Sequence, residues 1–499
     1  MGKRKGQSES CEPSGKRSQK AEDFRTTGQP EKSTSADQLR GVKRLQAVTA
    51  TAQKLWQEAV AARWPVIIEG ELKDPEWRAS SKWTNEYLQR SAGASKVLVE
   101  QKLESSEGFG KGRKVHTTFG QLVQQLHKGN DSLYLTTQEA GMDSDGHPHV
   151  MGLPVKQLKG DFPLRPECMG NLLPQQINLW MGAAPNGASS GLHHDFHDNL
   201  YILLRGRKRF RMYPPCEAGN MYTHGQVQHV YPNGRIIYKG QAMVSADGSD
   251  PREVKQWQRQ QAAESDLAAA EEAVKAGQKG AKARLRKAEQ ALEVVLDAQL
   301  GFRRESNASS EDDEASSFGF PANFKDDYVD SDAEASSSDG DSSPKRAAAV
   351  DSALQASGCQ SDCTSGKANH DAGPDGINWE AIVDDSSPPS FSRVDLTQPE
   401  RDICTQFPLF PARYRGLECE LKAGEMLYMP CGWFHEVRSY GNSKEGGHLA
   451  LNYWFHPPDN PDTSLKGMQN PYRTNYWHAH WAERSRDEPR GRRVHHESA

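Results

Sequence analysis

The feature that most limits what this chain can fold into is a break in its apolar sequence. From Glu305 to Asp341 there are 12 acidic residues against a single basic one, Lys325, mixed with many serines. Such a segment buries too little apolar surface to offset the entropy of ordering it, so it is expected to stay outside any core, as a solvated or phosphorylated spacer. The stretch before it, residues 252–300, is rich in Ala, Glu, Lys and Gln and short of large apolar side chains. That composition predicts a solvent-exposed helix interrupted near Gly277 and Gly280. The insertion spans residues 245–385, and any compact domain has to close across it with strands from both sides.

Composition narrows the reading further. Hydrophobic residues make up 35% of the 499, below the roughly 45–50% of ordinary globular domains. At about 100–200 residues per domain the length would suggest three domains, but the tails and the insertion reduce this to one split domain. The net charge of -5 gives no whole-chain case for a nucleic-acid or membrane partner. No apolar run approaches the roughly 18–20 residues of a membrane span. The eight cysteines, Cys11, Cys168, Cys216, Cys359, Cys363, Cys404, Cys419 and Cys431, lack the paired spacing of a zinc site and read as reduced thiols of an intracellular protein. The start, Met1-Gly2-Lys3-Arg4-Lys5-Gly6, is too basic and polar for a secretory signal and has no hydroxyl residue at position 6 for myristoylation. Lys3-Arg4-Lys5 with Lys16-Arg17 reads either as a split nuclear localisation signal or as a solvated basic tail.

Periodicity outlines the elements. Leu45, Val48, Ala52, Leu55 and Ala59 predict an amphipathic helix. Short β-rich runs follow at Trp64–Ile68, Lys96–Val99 and Leu133–Leu135, with a helix over Phe119–Leu126. Strand signals are dense between residues 175 and 240: Ile177–Met181, then Asn199–Leu204 and Lys208–Tyr213, which read as a hairpin about Arg205-Gly206, then the Asn233-Gly234 hairpin signal. Order is expected to return near Phe391, with strands at Glu418–Leu421, Glu425–Met429, His435–Ser439 and His448–Phe455 and a turn at Lys422-Ala423-Gly424. The end beyond Asn475 carries aromatics, then turns basic and is expected to fray.

The segment Leu192-His193-His194-Asp195 carries the chemistry. Alternate residues of a strand share a face, so His193 and Asp195 aim one imidazole and one carboxylate at a common point. A second histidine, His435, opens a strand after the turn Pro430-Cys431-Gly432. Two histidines and a carboxylate are the facial triad of non-haem iron(II) oxygenases, which leaves positions open for a 2-oxo acid and dioxygen. A bare His-x-Asp occurs often by chance. Here His193 and His435 lie 242 residues apart, and removing the insertion leaves a span that suits neighbouring strands of one barrel. His194 has the opposite parity and His197 follows the strand end, so neither is expected to be a ligand. His478 and His480 read as surface residues.

At these residues the sequence resembles the Jumonji-C (JmjC) oxygenases of the cupin superfamily, in their hydroxylase-like branch. The resemblance runs from Trp64 to Pro457 without the insertion, and its wording is similar to the small Jmj-type protein lysyl hydroxylases. It rests on Leu192–Asp195 with Asp198-Asn199-Leu200, on Gly206–Phe210 with Tyr213-Pro214-Pro215, on Lys422–Pro430 with Gly432–His435, and on Leu451–Phe455. It implies a mostly-β double-stranded β-helix, the cupin or jelly-roll barrel, with flanking N-terminal helices. The implied order is a disordered basic tail (1–40), a helical and β cupin-like region (41–160), the two barrel parts (161–244 and 386–474) around the helical and disordered insertion, and a tail (475–499). It also implies Fe(II) on His193, Asp195 and His435, with 2-oxoglutarate as co-substrate. Lys208 is the residue implied to pair with the co-substrate's distal carboxylate, and Asn199, Ser190, Tyr134 and Asn452 are implied as further contacts. A buried dianion needs such a fixed cation. Lys208 has the inward parity, while Arg207 and Arg209 should face out.

The expected function is hydroxylation of a protein side chain, using dioxygen, in the nucleus or cytoplasm. Three alternatives stand beside it: an N-methyl lysine or arginine demethylase, a tRNA-base hydroxylase, and an inactive cupin scaffold. No histone-reading module accompanies the barrel, and nothing in the sequence reads bases.

Overall fold

The computed structural model describes residues 40–102, 113–142, 148–308, 378–382, 387–411 and 416–485. The expected basic tail, acidic spacer and basic end (1–39, 309–377 and 486–499) lie outside the described residues. Nine strand segments build the barrel: β1 Pro174–Gly182, β2 Ala188–Ser189, β3 His193–His194, β4 Asp198–Arg205, β5 Arg207–Tyr213, β6 Leu417–Lys422, β7 Glu425–Met429, β8 Phe434–Tyr440 and β9 His448–Phe455. One sheet runs β1-β9-β4-β7; the other runs β6-β5-β8, with β2 and β3 both pairing to β8. The chain thus crosses repeatedly between two facing sheets, and β2–β3 and β5–β6 are the successive pairs that stay in the second sheet. This is the wiring of a double-stranded β-helix.

That wiring corrects one expectation. Asn199–Leu204 and Lys208–Tyr213 do not form a hairpin. β4 pairs with β7 and β9, whereas β5 pairs with β6 and β8. Gly206 carries the chain across, at φ +81°, where a Cβ would lie 2.5 Å from the Tyr440 carbonyl oxygen and 2.7 Å from the His448 Cβ. A tight turn between sheets and one within a sheet use the same residue types, so the local sequence does not separate them. The turn at Gly424 likewise joins strands of opposite sheets, whereas the Asn233-Gly234 signal does close a hairpin, Val227–Val230 with Ile236–Tyr238.

The first sheet is buried on both faces, so its strands read as continuous apolar runs rather than alternating ones. On β1, β4 and β9 the residues Ile177, Leu179, Met181, Leu200, Ile202, Leu449, Leu451 and Tyr453 join the N-terminal core of Phe119, Leu122, Val123 and Leu126. Their neighbours of opposite parity face the second sheet, where Tyr201, Leu203 and Ala450 meet Phe210, Met212, Leu421 and Trp433. Val66–Glu69 pairs with β7 and Lys43–Gln46 with Val66–Glu69, extending this sheet at one edge. The strands Leu133–Leu135, Lys96–Gln101 and Arg113–Thr118 extend the other edge, next to β1.

Two further expectations shift. The helix predicted over Leu45–Ala59 begins only at Ala52, capped by Thr51; Leu45 lies in a strand and Val48 is 74% exposed. The aromatic stretch beyond Asn475 is ordered, while the basic end expected to fray lies outside the described residues. Tyr476–Arg484 is a helix, with Tyr476 buried and Trp477 and Trp481 packed on the main core, and His478 and His480 are partly buried beside it. The interrupted helix stands as read: Pro251–Lys275 and Ala281–Ala308 flank Gly277 and Gly280. The two helices run against each other, burying Ala263, Ala270, Ala273 and Ala281.

Candidate metal centre

β3 and β8 place His193 directly opposite His435 in one antiparallel ladder. Asp195 follows two residues on, and its carbonyl accepts a hydrogen bond from the Gly432 amide at 2.9 Å. One donor atom each from His193, Asp195 and His435 lies within 4.8 Å of the others. His435 Nε2 stands 3.9 Å from Asp195 Oδ2, and the two imidazole rings are 4.4 Å apart. The Nδ1 atoms are taken: His193 bonds the Gly191 carbonyl at 3.0 Å and His435 the Trp433 carbonyl at 2.9 Å. A carbonyl partner fixes the Nδ1–H tautomer and leaves Nε2 as a lone-pair donor, as metal-bound histidines require. Burial and the nearby His435 hold His193 down to about 4, so this imidazole is neutral near pH 7. Phe391, from beyond the insertion, stacks on His193 at 4.7 Å. Two imidazoles and a carboxylate with convergent donors fit a divalent iron.

A chain of amides holds the carboxylate. Trp180 Nε1 donates to Asn452 Oδ1 at 2.9 Å, Asn452 Nδ2 to Asn199 Oδ1 at 3.0 Å, and Asn199 Nδ2 to Asp195 Oδ2 at 3.3 Å. Asn452 is fully buried, and this relay answers how an amide survives in an apolar strand. The resemblance implies Asn199 and Asn452 as co-substrate contacts, and the structure places them in this relay; Trp180 carries no such signal, because an indole in a strand reads as core.

Lys208 sits on β5, facing inward, 1% exposed. Arg207 and Arg209 point out as expected, to Glu420 at 2.7 Å and Glu418 at 2.6 Å. The Lys208 ammonium lies over two ring faces, Tyr201 at 5.4 Å and Tyr134 at 5.9 Å. No carboxylate pairs with it among the described residues, and burial lowers its pKa to about 7. An inward cation with no anion fits a site that receives one. Tyr134 borders the same space. Ser190 is placed differently: its hydroxyl accepts from the Val437 amide at 3.0 Å and donates to the Gly191 carbonyl at 3.0 Å, so its one proton serves the β2–β3 connection.

The histidines set aside as ligands have other work. His194 Nε2 meets the Tyr238 hydroxyl at 2.7 Å, and His197 stacks on Trp454 at 5.8 Å. Behind the site, Asp198 accepts from Arg63 Nη1 at 2.7 Å, Arg63 Nη2 at 2.6 Å and the Cys431 amide at 3.0 Å. This fully buried carboxylate ties the N-terminal region to the turn that leads to His435.

A double-stranded β-helix holding a His-Asp-His group between its sheets defines a cupin-type oxygenase. The comparisons with known proteins agree: a model of the cupin-like domain matches residues 52–461, and the chain belongs to that family, among its JmjC members. JmjC domain-containing protein 4 of Schizosaccharomyces pombe is 30% identical over 451 residues, 86% of this chain and 87% of that protein. The human bifunctional peptidase and (3S)-lysyl hydroxylase JMJD7 is 26% identical over 179 residues, 34% of this chain and 52% of its own. Lysine-specific demethylase 8 of Xenopus tropicalis is 30% identical over 164 residues, 32% of this chain and 33% of its own. No described helix is long and apolar enough to cross a membrane.

Proposed function

We propose that this chain is an Fe(II)- and 2-oxoglutarate-dependent dioxygenase that hydroxylates a protein side chain. The observation that carries this is the pairing of a convergent His193–Asp195–His435 group with an inward, anion-free Lys208 on the neighbouring strand. Iron with 2-oxoglutarate and dioxygen would supply oxidative decarboxylation coupled to insertion of oxygen into a C–H bond. The protein's part is positional. His193 and His435 present Nε2, Asp195 is held by the Trp180–Asn452–Asn199 relay, and Lys208 neutralises the distal carboxylate of the co-substrate with Tyr134 beside it. The buried walls keep water from the reacting centre.

Hydroxylation of protein is favoured by the lysyl hydroxylase among the relatives. Relatives named as lysine-specific demethylases keep N-methyl oxidation as the second reading, since it needs the same C–H step at a methyl carbon. Purified protein given Fe(II), 2-oxoglutarate and a cell extract should release succinate and leave a protein target heavier by one oxygen atom. A target that instead loses a methyl group would select demethylation. Iron-loaded protein with no turnover above a His193→Ala control would refute the oxygenase reading.

A further inference from the structure

His448 opens β9 and is wholly buried, yet neither of its ring nitrogens has a hydrogen-bond partner among the described residues. Leaving a buried donor and acceptor unmet costs roughly 1–3 kcal/mol each. Such groups are rare without a reason. The ring's position supplies one. His448 has the parity of Asn452, so it faces the barrel interior. It lies opposite Gly182 in the β9–β1 ladder, and Gly182 lies opposite Tyr134. The His448 and Tyr134 rings are 5.7 Å apart, and the Lys208 ammonium lies over that same Tyr134 ring.

Gly182 makes the arrangement possible. A Cβ there would stand 2.8 Å from a Tyr134 ring carbon and 2.9 Å from His448 Nε2. The missing side chain leaves room for both rings beside Lys208. Burial, and then the Lys208 and Arg205 cations, hold the His448 pKa well below its ordinary value. The ring is therefore neutral, with one N–H to give and no charge to compete with the ammonium.

We infer that His448 is a second anchor for the distal carboxylate of the co-substrate, donating a ring N–H to it alongside the Lys208 ammonium. This rests on the 2-oxoglutarate reading above and deepens it. Lysine supplies charge without direction, whereas the imidazole N–H is directional. Together they favour a 2-oxo acid bearing a second carboxylate at the right length over one that lacks it. His448 is thus a positioning and selectivity residue, and it takes no part in oxygen chemistry.

The test is anaerobic calorimetry of Mn(II)-loaded full-length protein with 2-oxoglutarate and with 2-oxobutyrate, which lacks the distal carboxylate. His448→Phe keeps the ring and removes the donor. Its affinity for 2-oxoglutarate should fall at least about 10-fold, as expected for a lost hydrogen bond to a charged group. Its affinity for 2-oxobutyrate should stay within about 2-fold of wild type, and His448→Gln should recover part of the loss. Equal weakening toward both acids, or no weakening, in a variant that melts like wild type overturns the inference. Should the Phe variant not fold, ¹⁵N-histidine spectra of Zn(II)-loaded wild type decide it. The His448 N–H resonance should shift and gain protection with 2-oxoglutarate but not with 2-oxobutyrate; the same response to both overturns the inference. Wild-type protein that binds neither acid refutes the 2-oxoglutarate reading itself.

Discussion

His193 and His435 face each other across one rung of the β3–β8 ladder, and each bonds through its Nδ1 to the carbonyl two residues earlier in the chain, Gly191 and Trp433. The two imidazoles are therefore aimed by backbone, and side-chain substitutions elsewhere will not free them to turn. Replacing either histidine, or Asp195, with alanine should leave the fold intact and abolish stable iron binding. Iron content should drop to background, and succinate formation should fall by more than about 100-fold, beyond the losses typical of residues behind the ligands. Elemental analysis and a succinate assay check both.

The amide relay predicts a different outcome for Asn452. Asn452→Leu strips Trp180 and Asn199 of their partners and lets the Asp195 carboxylate swing. Metal affinity should weaken by about 10–100-fold, with a stability loss of about 1–3 kcal/mol. Competition with a chelator and thermal melting separate the two effects.

Lys208 makes the site sensitive to pH. Its pKa is lowered to about 7 by burial, far below that of a lysine in the unfolded chain. Between these values the unfolded chain holds the extra proton, so this residue's contribution to stability rises with pH over that window and is at its least below about 7. Binding runs the other way. The co-substrate dianion needs the ammonium, so its affinity should decline as pH climbs above about 7, with a proton taken up on binding. Calorimetry in buffers of different ionisation enthalpy reads that proton directly. Lys208→Met should abolish it and raise the apparent Kd by at least about 10-fold.

Asp198 and Arg63 form the buried ion pair behind the site. Removing one partner strands a charge, at a cost of about 3–5 kcal/mol. Arg63→Ala should lower the melting temperature sharply and also weaken iron binding, because the Cys431 turn it steadies leads straight to His435. Paired replacement by apolar residues of similar size should recover much of the stability.

The metal strand, the inward Lys208 and the strands of the second barrel half were legible in the sequence, because parity alone sorts Lys208 from Arg207 and Arg209. Asn199 and Asn452 were legible by resemblance. What stayed hidden depended on pairing between distant segments. Trp180 reads as core until Asn452 is opposite it, and Phe391 as a loop aromatic until it stacks on His193. His448 reads as one more strand residue until Gly182 is seen to make room for it. Gly206 reads as a hairpin turn because nothing local distinguishes a turn that stays in a sheet from one that leaves it.

The interposed helical pair and its acidic sequel lie between His193 and its partner histidine, which comes 242 residues later in the chain. On the ribosome, the first barrel strands emerge long before β8 exists to complete them. A nascent or truncated polypeptide ending before residue 417 would own two of the three candidate metal ligands and no closed sheet to aim them. On the proposed reading, metal binding would wait for synthesis to pass β8, because that strand brings the third donor, His435.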